Sequence, residues 1–267
     1  MKMDDTSQSI TDQLWQAMKL PESCLLNSRI YKKMLLESSD LSSSDKKVVA
    51  EDIDTLTWRY TLKPETINIQ KLQTEELDYP EIAVIHITLK STKRVKRVVE
   101  IIQRNIPYPL VLIITHENKL WFSLANKRQS LSDSQKLTVE SFFDSNWIDG
   151  DRLQTIEQEF LVSLDNKLLD WTNFYIFYQS IVERLQALQA AQLTGQYKLI
   201  KSDRDTSDNS KSALNRQTLL KNIRQLEEEA KNLKASLNKE LQFNRRLELN
   251  MDIKHCEQQI KQLTHEL

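Results

Sequence analysis

Between residues 81 and 125 the spacing of apolar positions changes twice, and each change predicts an element. Residues 81–90 are rich in β-branched side chains and predict a strand. Val95, Val98, Val99 and Ile102 then recur at helical spacing, so residues 93–104 predict a helix laid on a sheet. Pro107 and Pro109 punctuate the chain. Residues 110–115 read as a buried strand, 117–119 as a turn, and 120–125 as the returning strand. Residues 136–143 add a further strand candidate before Trp147. The expected centre is a β-α-β-β unit.

Upstream, Ile10, Leu14 and Met18 mark a short helix over residues 8–20, ended before Pro21. A second short helix is expected over 29–36. After the Ser-rich stretch 38–44, Ser44 or Asp45 caps a helix carrying Val48, Val49, Ile53 and Leu56. Trp58, Tyr60 and Leu62 alternate with polar residues as in a strand, Pro64 stops it, and residues 66–69 look extended. Residues 152–194 turn helical, with Phe160, Leu164, Trp171, Tyr175, Tyr178, Val182 and Leu185 three to four apart in their local groups and Gly195 as C-cap. Residues 201–215 are almost wholly polar and read as a linker.

The last stretch carries two heptad seams. Leu219, Ile223, Leu226, Ala230, Leu233 and Leu237 form one, and Leu249, Ile253, Cys256, Ile260, Leu263 and Leu267 the other. Leu237 and Leu249 are 12 positions apart, which does not keep the heptad phase. Either one long helix carries a phase shift or two helices fold back as a hairpin. The scarcity of helix breakers favours the single helix, and Asn238 and Asn244 leave the hairpin open. A bare leucine seam needs a cover, so self-association through a coiled coil is expected. The fold class is thus α+β: a small mixed sheet with N-terminal and central helices, then a C-terminal coiled-coil helix. The expected divisions are 1–75, 76–150, 151–200, the linker 201–215 and the coiled coil 216–267.

Composition narrows the chemistry. The chain has 267 residues, 39% of them hydrophobic, enough to bury a core. No run reaches the ~18 apolar residues of a membrane span. The start, Met1-Lys2-Met3-Asp4-Asp5, lacks the apolar segment of a secretory signal, so a cytoplasmic location is expected. Net charge is −1, so no global field draws nucleic acid or an acidic membrane. Cys24 and Cys256 are expected as free thiols, and neither a CxxC pair nor a zinc pattern among the 4 histidines is present. With only Gly150 and Gly195, the chain has no P-loop, dinucleotide fingerprint or kinase-type glycine loop. No cofactor and no metal are expected.

Four places could carry chemistry. A nuclease of the PD-(D/E)xK type needs an acid-x-Lys triplet, but the strand ends Thr88-Leu89-Lys90, and Thr88 supplies no anionic oxygen for Mg²⁺. Lys90, Lys93, Arg94, Lys96, Arg97 and Arg104 form a basic stretch, with Arg94, Arg97 and Arg104 on an outward stripe suited to phosphates or to plain solvation. His86 sits in an apolar strand with no nucleophile motif around it, and reads as an ordinary strand residue. Finally, the seam breaks at Gln242, Phe243, Asn244, Arg245, Arg246 and Asn250. Phe and Arg favour interface cores, so this segment is the candidate partner-binding site.

Three segments carry a family resemblance: residues 58–69, Ile106-Pro107-Tyr108-Pro109, and residues 239–250. Together they resemble the bacterial domain-of-unknown-function 4391 family, over most of the chain. The resemblance implies a setting beside helicases and DNA methyltransferases in restriction or antiphage-defence neighbourhoods, and an acid in relatives where Thr88 stands here. The expected function is therefore a non-catalytic interaction subunit of a DNA-acting complex. The alternative is a nucleic-acid-binding or degenerate nuclease module using the stretch from Lys90 to Arg104.

Overall fold

A computed structural model describes residues 8–37, 41–129, 137–200 and 207–267. The chain divides into two compact units, Met1–Leu185 and Gln186–Leu267.

In the first unit, helix α1 (Ile10–Met18) opens with Ser9, whose hydroxyl accepts from the Asp12 amide at 3.1 Å. It buries Ile10, Leu14 and Met18 on one face and ends at Lys19 in a left-handed conformation. Strand β1 (Leu25–Arg29) and the short helix α2 (Lys32–Leu36) follow. Helix α3 (Ser43–Asp52) is capped by Ser42, two residues before the expected cap. Ile53 and Leu56, expected in that helix, start strand β2 (Ile53–Leu62) instead. The helical spacing from Val48 misleads because Ile53-Asp54-Thr55-Leu56-Thr57 is also β-branched, and pairing with the next strand decides the matter.

Of residues 66–69, expected as extended, Thr66 and Ile67 close a helical turn, α4 (Pro64–Ile67), and Asn68 follows in a left-handed conformation. Pro64 takes the first helical position, where its missing N–H costs nothing, and the Thr66 hydroxyl accepts from the Lys63 amide at 2.8 Å. The two-residue strands β3 (Leu72–Gln73) and β4 (Asp78–Tyr79) form a small separate ladder.

The expected β-α-β-β unit is present: β5 (Ile82–Leu89), α5 (Val95–Asn105), β6 (Leu110–His116) and β7 (Lys119–Gln129). Strands β8 (Leu137–Asp144) and β9 (Ile148–Asp149) complete the sheet. Its order is β1-β2-β5-β6-β7-β8, with β9 also on β7. Among the described residues only β5 and β6 run parallel, as a strand–helix–strand crossover requires, and the other ladders are antiparallel.

Each face of the sheet has its own cover. Ala83, Ile85, Ile87, Leu89, Leu112 and Ile114 pack with Val48 and Val49 of α3 and Val95, Val98, Val99 and Ile102 of α5. On the opposite face Trp15 of α1 meets Tyr60 and His86, and Phe122 meets Phe160 of helix α6 (Thr155–Ser163) edge-on. The expected helical stretch 152–194 is broken after α6. Side chains compete for the backbone there: Asp170 accepts from the Thr172 amide and Asn173 from the Ile176 amide, so helix α7 (Phe174–Thr194) starts afresh. Gly195, at φ +77°, closes α7, and its amide donates to the Ala191 carbonyl.

The second unit takes the hairpin option. Helix α8 (Ser207–Leu237) and helix α9 (Phe243–His265) pack together, and Lys234 bridges to Glu257 at 2.8 Å. The single long helix that the lack of breakers favoured is therefore corrected. The part of the expected linker from Ser207 onward is already helix, because helix propagates readily through polar residues once nucleated. Leu219, Ile223, Ala230, Leu249, Ile253 and Cys256 are buried. Leu226, Leu233, Leu237, Ile260, Leu263 and Leu267 are half-buried, so the chain itself covers much of the seam, which weakens the argument that a bare seam must self-associate. Cys24 and Cys256 are free and buried.

Tyr178 gives a direct test of the first unit. Its fully buried hydroxyl accepts from the Ala125 amide at 2.9 Å and donates to the Leu110 carbonyl at 2.8 Å, joining α7 to β6 and β7. Tyr178→Phe leaves that amide unsatisfied and costs about 1–3 kcal/mol in denaturant unfolding; an unchanged midpoint would contradict this role.

Candidate functional site

The hairpin turn is built by one carboxylate. After Leu237 the chain runs out of helix, and Glu240 accepts from the amides of Leu241 and Gln242 at 2.8 and 2.9 Å. These bonds, the Gln242 amide first, hold the Glu240 carboxyl below its usual range. Gln242 is extended and α9 starts at Phe243. A carboxylate meeting free amides at a helix start is the favourable arrangement.

The expected partner-binding residues Gln242, Phe243, Asn244, Arg245, Arg246 and Asn250 are all exposed on this turn and the first turns of α9. Arg245 pairs with Glu248 at 2.6 Å, and the Asn250 amide group donates to the Arg246 carbonyl at 3.0 Å. Sequence reasoning missed the apolar neighbours. Leu241 is 93% exposed and Phe243 79%, and Leu247 and Met251 continue the row four and eight positions on. Leu247 and Met251 each sit two residues from buried Leu249, roughly 200° around the helix, so they point away from the seam. The signal was available: apolar residues in α9 that fit neither heptad.

The basic stretch in the first unit is different. Lys90, Lys93, Arg94, Lys96, Arg97 and Arg104 are all exposed, but the three arginines meet carboxylates. Arg94 donates to Glu51 at 2.9 Å and Asp52 at 2.8 Å. Arg97 grips Asp45 with two parallel bonds of 2.7 and 2.8 Å and Glu100 at 2.6 Å. Arg104 reaches Glu100 at 3.2 Å and stacks over Phe142. The Arg97 guanidinium, then Ser42, hold the Asp45 carboxyl below its usual range. Arg94 and Arg97 clamp α5 to α3, and among the described residues Lys90, Lys93 and Lys96 carry no such pair. Asp45 and Asp52, seven apart on one helix face, were the legible sign of this clamp.

Thr88 stands opposite Thr55 on β2 and Thr115 on β6. These neighbours bring hydroxyls, not carboxylates, to the place of the acid-x-Lys triplet. His86, on the same face, shares a 2.8 Å hydrogen bond with the Thr115 hydroxyl. Burial, and then the Arg59 charge, push its imidazole down to about 4 from 6.5. The unfolded chain therefore binds more protons between those values, and stability present above pH 6.5 is lost as pH falls toward 4. This group alone should remove about 2 kcal/mol between pH 7 and pH 5. His86→Gln should flatten that slope in urea titrations at the two pH values; an identical slope would refute the assignment.

Comparison with known proteins adds one match. A search of curated proteins and a search of solved structures each found none. A family model described as Domain of unknown function (DUF4391) matches residues 18–260, nearly the whole chain and all three segments that carried the resemblance, and the chain belongs to that family.

Proposed function

We propose that the protein is a non-catalytic interaction subunit of a bacterial DNA-acting complex of the restriction or antiphage-defence kind, docking through the α8–α9 hairpin. One observation carries the docking reading: Leu241 and Phe243 stand almost fully in water at a turn whose geometry is held by other residues. Folding gains nothing from them, whereas burial against a partner would gain about 1.5–3 kcal/mol for each. Arg246 adds a charge-assisted donor beside this apolar pair, and Arg245 sits next to it with one N–H engaged by Glu248. The DNA-acting setting, with a helicase or DNA methyltransferase as partner, rests on the family resemblance.

Direct DNA binding by the α5 stripe is the second reading. It is weakened by the carboxylates on Arg94, Arg97 and Arg104, and rests on Lys90, Lys93 and Lys96. Binding of duplex DNA that falls steeply with salt would favour it.

The deciding experiment is co-purification with the products of neighbouring genes, comparing the natural protein with Phe243→Ala/Arg245→Ala. We expect at least ~2 kcal/mol lost, about thirtyfold in affinity, with helicity by circular dichroism unchanged. Undiminished capture of a helicase or methyltransferase by the double variant would overturn the docking site.

A further inference from the structure

Most arginines in the first unit's sheet and at α5 meet a carboxylate; among the described residues Arg29 and Arg59 do not. Arg94, Arg97, Arg104 and Arg128 are each ion-paired. Arg59 makes one side-chain hydrogen bond, from Nη1 to the Asn27 side-chain oxygen at 2.8 Å, and among the described residues no carboxylate lies within ion-pair reach. Its Nε is buried without an acceptor. Its guanidinium lies over two rings, 5.5 Å from the centre of Trp15 and 5.7 Å from that of Tyr60. Ring faces steady a cation but do not neutralise it.

The backbone is bent to hold this group. The β2–β5 ladder slips between Trp58 and Tyr60, which makes Arg59 the extra residue of a bulge. The β1–β2 ladder slips at the same height, between Leu25 and Ser28, and Asn27 there adopts φ +47°. Two irregularities on adjacent strands meet at one hydrogen bond, and bulges of this kind re-aim side chains. The same face gathers neutral donors. His86 touches the edge of Trp15 at 5.8 Å, and Thr57 stands opposite His86 in the ladder.

We propose that this face binds a phosphate-class oxyanion, with Arg59 as the charged donor and Thr57 and His86 beside it. A half-buried guanidinium without an anion bears desolvation uncompensated by a partner charge, and an oxyanion supplies that charge. Donors on a planar fork with a hydroxyl and an imidazole nearby suit a tetrahedral group better than a single planar carboxylate. The same chemistry is offered by free phosphate and by a nucleic-acid backbone. The site is independent of the hairpin and of its partner.

The test uses the full chain. The Trp15 indole and His86 ring resonances are followed by NMR while sodium phosphate is titrated against sodium chloride at matched ionic strength. Saturable, phosphate-specific shifts are expected at both rings. Arg59→Gln should weaken the response at least about tenfold, the loss of one charge-assisted pair. Asn27→Asp keeps a residue that tolerates the left-handed backbone and places a carboxylate on Arg59, so it should weaken phosphate binding while the fold is kept. A short DNA duplex as second titrant separates the sources: shifts with phosphate alone mark a small-molecule site, and shifts with both mark a backbone contact. No phosphate-specific shift in the natural protein, or an undiminished response in Asn27→Asp, would overturn the proposal.

Discussion

The first unit depends on the parallel pairing of β5 with β6. A parallel pair cannot be closed by a tight turn, so α5 must cross over the sheet and lie against it. That crossover buries one face of both strands under Val95, Val98, Val99 and Ile102. It also explains the arginines of α5. A helix pinned flat on a sheet turns its polar side toward the neighbouring helix α3, and Arg94 and Arg97 meet Asp52 and Asp45 there. What reads along the chain as a basic stripe is, in three dimensions, largely half of a charge clamp.

The central unit was legible because its signals are redundant. β5 and β6 are short apolar runs between breakers, and α5 has a strong helical stripe on one side only. The α3–β2 boundary was not legible, since Val48, Val49, Ile53 and Leu56 satisfy a helical period while Ile53, Thr55 and Thr57 satisfy a strand's propensity. Only the ladder partner Leu89 decides between them. Residues 66–69 failed for a related reason: Pro64 ends a strand and equally well begins a helix.

The hairpin shows a different limit. The 12-residue gap between the seams marked where the helix breaks, but no proline or glycine marked the break as a turn. The turn is made by Glu240 accepting two amides, an interaction any acidic residue in a helix could offer and few do. Pairing with the α9 face then favours the folded-back form, because it buries Leu219, Ile223, Leu249, Ile253 and Cys256 within one chain. Exposed residues off the seam were partly legible. The segment around Phe243 stood out from the broken heptad, but Leu247 and Met251 looked like ordinary helix residues until the burial of Leu249 fixed which side faces inward.

On the proposed reading, stability and recognition are carried by different residues in the second unit. Leu219, Ile223, Leu249 and Ile253 hold the two helices together, and Glu240 sets the turn. Leu241 and Phe243 contribute little to either, since a side chain that stays in water on folding gains no transfer free energy. A turn held by one set of residues can present another set in a fixed geometry at little entropic cost on binding, because the backbone beneath is already ordered. The same separation does not hold on the sheet face of the first unit. There Trp15, Tyr60 and His86 serve the packing between α1 and the sheet and also surround Arg59, so changes at that face must be read against stability as well as binding.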